Sequence, residues 1–224
     1  MGERADGTSS PDGSAAASFR TLQQATAMVG DLFGRQAECV EAAALLTATA
    51  DELGLVVRPR AVSIAAYVHA TGRMVATGER ARAFLTDLAG SSGRPMTTND
   101  IAPDNPAMDG SEFQRAGHMV VSVGDPALVL DPTFRQFAFA GLPPVSLVAS
   151  VADDAPATGY WHLDLAGFSV TYFIEDGNSG WQEVFARILP EWRPLARELA
   201  EHLRLGRSAE RVGLRQIEIP RRSD

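Results

Sequence analysis

Three residue types able to do covalent chemistry occur in this chain in a suggestive order. Cys39, its single cysteine, opens the apolar-striped segment Glu38-Cys39-Val40-Glu41-Ala42-Ala43-Ala44-Leu45-Leu46. His118 opens the strand-like run His118-Met119-Val120-Val121-Ser122-Val123, and Asp131 closes Leu128-Val129-Leu130-Asp131. A thiol nucleophile needs a base to take its proton, and the base needs a group that fixes its tautomer. A cysteine, a histidine and an aspartate are the parts of such a triad.

Each residue taken singly has a plainer explanation. A lone cysteine in an apolar stripe is usually a small buried hydrophobe. A histidine on an apolar strand is usually a satisfied core residue, and an aspartate before Pro132 can simply close a turn. Local context raises the triad. Cys39 lies at the predicted start of a helix, where unpaired N–H groups and the helix dipole favour a negatively charged sulfur and can donate to an oxyanion. Glu38 and Glu41 flank it and oppose that charge. Gly124-Asp125-Pro126 is turn chemistry between two apolar runs. If Ser122 pairs with Ala127, His118 falls directly opposite Asp131, and both share a face with Val120 and Val129. A slip by one residue would put them on opposite faces.

The surrounding elements follow from periodicity. A helix is expected over residues 20–33, with Leu22, Ala25, Met28 and Leu32 at helical spacing, and a second from Glu38 to Leu53, ended by Gly54. Arg60 to Val68 alternates as a strand, and Glu79 to Leu88 is a third helix. Residues 90–117 form a long polar loop that enters His118 directly, a candidate rim for the site. Further strands are expected at 145–151, 159–165 and 168–174, the last two as a hairpin about Ala166-Gly167. Two helices follow, one from Gly180 to Leu189 and one from Glu191 to Leu205, with Pro190 between them. Tyr160, Trp161, His162, Phe168, Tyr172 and Phe173 read as sheet packing, or else as a substrate-binding wall. Residues 1–17 are expected to be disordered, 18–205 to form a single catalytic domain, and 206–224 to be a tail. The fold class expected is α+β, with N-terminal helices packed on an antiparallel sheet.

Bulk composition narrows the function classes. The chain has 224 residues, 45% of them apolar, enough for one sizeable core. Its net charge of -8 gives no basic field for nucleic acid. No apolar run approaches the ~18–20 residues of a membrane span, and no signal-peptide pattern opens the chain. One cysteine forms no internal disulfide, so the expected location is the cytoplasm. The chain has no lysine, a bias associated with GC-rich bacterial genes, and this excludes Schiff-base chemistry. No metal is expected, because His69, His162 and His202 lack a cysteine or acid at ligand spacing. No Gly-rich phosphate loop is present, and no cofactor is expected.

The order of Cys39, then Gly117-His118-Met119-Val120-Val121, then Val129-Leu130-Asp131-Pro132-Thr133 resembles the transglutaminase-like and papain-like superfamily of cysteine enzymes. The stretch Asp131-Pro132-Thr133-Phe134-Arg135-Gln136-Phe137 also resembles bacterial members that include deamidase-type toxin domains. The resemblance covers residues 36–137. It implies a transglutaminase-like or papain-like core, with the cysteine opening the central helix and His118 and Asp131 on neighbouring antiparallel strands. Papain-like members carry a glutamine several residues before the cysteine, and Gln36, three before it, is the candidate oxyanion donor. The expected activity is a cysteine-dependent hydrolase or acyltransferase. It would form a Cys39 thioester from an amide or thioester on a peptide, protein or carrier-bound acyl group, then pass the acyl group to water or an amine. The alternatives are a non-catalytic binding module that keeps the fold and a secreted effector that deamidates a protein glutamine.

Overall fold

The computed structural model describes residues 11–34, 38–92, 117–153, 155–177 and 180–206. In chain order the elements are α1 (Pro11–Phe33), α2 (Cys39–Glu52), β1 (Arg58–Val68), β2 (Arg73–Thr77), α3 (Glu79–Ser92), β3 (His118–Gly124) and β4 (Ala127–Asp131). A 3₁₀ helix (Phe134–Ala140), β5 (Leu147–Ser150), β6 (Tyr160–Leu165), β7 (Phe168–Ile174) and α4 (Trp181–Arg204) complete them. The class is α+β, as the periodicity predicts.

The strands form one seven-stranded, nearly closed antiparallel sheet in the order β5-β4-β3-β1-β7-β6, with β2 beside the second half of β1. Alternation along β1 and β3 divides the core. Met119, Val121 and Val123 face α1, α2 and α4, where Ala42, Ala43, Ala44, Leu45 and Leu46 of α2 are fully buried. Val62, Ile64, Val120, Val129, Val170 and Tyr172 face the concave side, which Phe134 and Phe137 of the 3₁₀ helix fill. α3 covers a third, smaller cluster on Ala65, Met74 and Phe173. The alanine run on α2 brings its backbone close to its neighbours, and α4 is its main helical partner.

The structure differs from the sequence reading in several places. α1 begins at Pro11, so 11–17 is helical rather than disordered, while 1–10 lies outside the described residues. β2 and the 3₁₀ helix are not foreseen by the periodicity. The two C-terminal helices are one: α4 continues through Pro190 and Pro194. Each proline removes an N–H and crowds the preceding turn. The buried stripe of Phe185, Ile188, Ala196, Leu199 and Leu203 keeps the helix seated on both sides of them. The helical layer therefore draws on both ends of the chain. Residues 93–116 and 207–224 fall outside the described residues, and with them most of the expected rim loop and tail.

Candidate active site

The site forms where the N-terminus of α2 meets the first residue of β3. Cys39 is the first residue of α2, after Glu38, whose side chain makes no capping hydrogen bond to that turn. The first intrahelical bond there runs from the Ala42 N–H to the Glu38 carbonyl at 3.0 Å. Cys39 is 2% exposed. Burial, and after it the Glu41 charge, push the Glu38 carboxyl above its ordinary value.

β3 places His118 at its head because Gly117 sits backbone-to-backbone on the β2–α3 corner. A side chain on Gly117 would strike Thr77 and Gly78, and the Thr77 hydroxyl donates to the Gly117 carbonyl at 3.2 Å. The β3–β4 hairpin pairs Gly124 with Ala127 and Val121 with Leu130, so its loop is only Asp125-Pro126. The expected pairing of Ser122 with Ala127 is therefore wrong by two residues. In the actual register Val129 is the partner of Ser122, and Val120 rather than His118 comes opposite Asp131. An even-numbered slip preserves the face. His118 reaches Asp131 diagonally, and its Nε2 lies 2.8 Å from Asp131 Oδ2.

Asp131 is fully buried, and its lone pairs are well used. Oδ2 also accepts the Tyr172 hydroxyl at 3.0 Å. Oδ1 accepts the Thr133 N–H at 3.1 Å and its hydroxyl at 3.4 Å. Burial, then the Asp131 charge and hydrogen bond, push the Tyr172 phenol well above its ordinary range, so it remains a donor. α1 backs this corner closely. A side chain on Gly30 would run into Ser146 and the Pro132 carbonyl, and Arg135 ties the 3₁₀ helix to Asp31 of α1 at 2.8 Å.

Burial alone would push the His118 imidazolium down. The Asp131 charge and hydrogen bond, joined by a hydrogen bond and charge interaction with Cys39, outweigh it and push His118 up to about 10. Asp131 takes Nε2, which leaves Nδ1 as the other polar atom of the ring. Gln136, on the 3₁₀ helix, places its Nε2 3.0 Å from the same Nδ1. The ring edge also meets Phe137, with centroids 5.5 Å apart.

The structure thus gathers Cys39, His118 and Asp131 in one buried cluster. Gln36 lies outside the described residues. Three polar partners escape a reading of the sequence. Tyr172 hides in the alternation of β7 as a core aromatic. Thr133 follows Pro132 as a turn residue. Gln136 is the polar residue between Phe134 and Phe137, and its placement among aromatics is the one signal that could have marked it. A separate groove of about 420 Å³ lies at the far end of β3, lined by Gly54, Leu55, Arg58, Ser122, Gly124 and Pro126, and it contains none of the triad. His69 and His162 pair with the Ser169 and Thr171 hydroxyls, at 2.7 and 2.9 Å. No protein-family model, curated protein or solved structure matches this chain.

Proposed function

We propose that the chain is a thiol enzyme acting on an amide or thioester, on a transglutaminase-like or papain-like plan. One observation carries the reading: His118 is tied through Nε2 to a buried, fully hydrogen-bonded Asp131 and interacts with the Cys39 thiol. A core histidine is satisfied by any polar partner on each ring nitrogen, whereas this one links an acid to a thiol at a helix N-terminus.

The chemistry follows from those roles. His118 Nδ1 takes and holds the Cys39 proton, and the sulfur attacks the carbonyl carbon. The oxygen takes up the electron pair and is held by the N–H groups of the first turn of α2. The tetrahedral species collapses as His118 returns its proton to the departing amine nitrogen or thiol sulfur, leaving an acyl thioester on Cys39. Water, or an amine, then attacks that carbonyl and gives a proton to His118. Cys39 leaves as thiol and the acid or new amide departs.

The enclosure of Cys39, at 2% exposure, favours a second reading, a binding module that keeps the fold without turnover. One experiment separates the two. The alkylation rate of Cys39 by iodoacetamide at neutral pH is measured by intact mass in the parent chain and in His118→Ala. The enzyme reading expects the variant to react at least ~10-fold more slowly, the lower range for loss of a positioned base being about 10²-fold in turnover. Equal rates would leave Cys39 an ordinary thiol and favour the binding module.

A further inference from the structure

We propose that Gln136 is a positioning residue for His118, an amide that pairs with Nδ1 in both of its protonation states. The inference rests on the thiol-enzyme reading and adds a residue to it. Asp131 and Gln136 lie in one short segment, and between them they hold both ring nitrogens: Asp131 Oδ2 at 2.8 Å from Nε2, and the Gln136 amide at 3.0 Å from Nδ1. The Gln136 backbone N–H donates to the Thr133 carbonyl at 2.9 Å, and Thr133 itself donates to Asp131. The two ends of the clamp are therefore fixed to each other.

The need for such a residue comes from burial. The His118 side chain is fully shielded from bulk solvent and Phe137 lies against its ring, so a protein group at Nδ1 has to meet its hydrogen-bonding need in the resting chain. A neutral Nδ1 is an acceptor, and the Gln136 N–H donates to it. Once His118 takes the thiol proton, Nδ1–H needs an acceptor. The thiolate is one before attack. After attack the sulfur is bonded to carbon and has lost most of its charge, yet the ring still carries the proton until the leaving group accepts it. A half-turn of the Gln136 amide brings its carbonyl oxygen to Nδ1–H and fills that gap. Glutamine is suited to this because it carries a donor and two acceptor lone pairs at one reach. Leucine offers neither, and glutamate at neutral pH only accepts. Among the described residues, the other ionisable groups facing the ring are Asp131 from β4, Cys39 from α2 and, through Asp131, Tyr172 from β7. None of them both donates to and accepts from Nδ1 without changing its own protonation.

The test uses the full chain with ¹⁵N-labelled histidine and follows the His118 ring nitrogens against pH, beside the pH profile of Cys39 alkylation. Hydrogen bonds to an ionised partner are about twice as strong as neutral ones. Gln136→Leu should therefore lower the pH at which His118 loses its proton, by about one unit, and Gln136→Glu should raise it. Both variants should alkylate more slowly than the parent at neutral pH. Gln136→Met, closer in length, replaces the leucine variant if that one fails to fold. A space-filling glutamine would leave the His118 midpoint unchanged in Gln136→Leu and Gln136→Met, and that result overturns the proposal. The two readings fail separately. If His118→Ala alkylates like the parent, the thiol-enzyme reading falls. If His118→Ala is slow while the Gln136 variants titrate and react like the parent, only the role of Gln136 falls.

Discussion

Tyr172 and His118 bind the same oxygen. Asp131 Oδ2 lies 3.0 Å from the Tyr172 hydroxyl and 2.8 Å from His118 Nε2, although Tyr172 comes from β7 and is separated from β3 by β1. With Oδ1 on Thr133, the carboxylate plane is fixed on both sides.

That arrangement makes Tyr172→Phe informative. The substitution removes one donor from a buried carboxylate and leaves the ring packing in place. A loss of about 1–2 kcal/mol is expected in denaturant unfolding, typical of a hydrogen bond to a charged group. Unfolding midpoints that coincide with the parent would mean that the Thr133 and His118 contacts suffice.

Asp131→Asn should keep the fold and disable the thiol. An asparagine amide turned toward Nε2 donates, so it selects the tautomer with Nδ1 protonated and removes the lone pair that Cys39 needs. Turnover, or alkylation in its place, should drop on the order of 10²–10⁴-fold, the range expected for loss of tautomer control in a triad. Parent-like reactivity with an unchanged circular dichroism spectrum would reduce Asp131 to a structural residue.

Stability should depend on pH through His118. Its midpoint rises from an ordinary 6.5 to about 10 on folding. Between those values the folded chain keeps a proton that the unfolded chain has released. The stabilisation is complete below pH 6.5 and is lost as pH rises through about 10. Chemical unfolding between pH 7 and 10 should therefore show falling stability, with a shallower slope in Asp131→Asn, which lacks the charge that raises the imidazole. A flat profile in the parent chain would contradict the coupling.

Two glycines should respond in opposite directions. Gly117→Ala forces a methyl against the Thr77–Gly78 backbone and should cost about 1–3 kcal/mol, as overpacking does. Gly90 lies inside α3 with open space around its Cβ position. Gly90→Ala should stabilise by up to about 1 kcal/mol through helix propensity alone. Melting temperatures of the pair provide the check.

The alternation of β3 and β4 makes the shared face of His118 and Asp131 legible in the sequence, because period-two patterning fixes faces. It does not fix which residues stand opposite, since that depends on whether Gly124 belongs to the loop or to the strand. The hydrogen bonds from Tyr172 and Gln136 depend on how the sheet curls and where the 3₁₀ helix returns. Neither follows from local periodicity. Proline at 190 and 194 reads as a stop when only the backbone is considered. Continuation of α4 is decided by what its apolar stripe rests on, which is tertiary. Cys39 at the head of α2 is the easiest part to read, because an apolar stripe beginning at Glu38-Cys39 and ending before Gly54 sets both ends of that helix.

With Cys39 only 2% exposed, the chain keeps its most oxidisable side chain under cover. Any reagent, substrate or peroxide alike, meets Cys39 only in the fraction of molecules that have opened, so the observed rate is the intrinsic rate scaled by that fraction. The resting protein is thereby sheltered from sulfenic acid formation, and whatever uncovers Cys39 sets how fast that damage occurs.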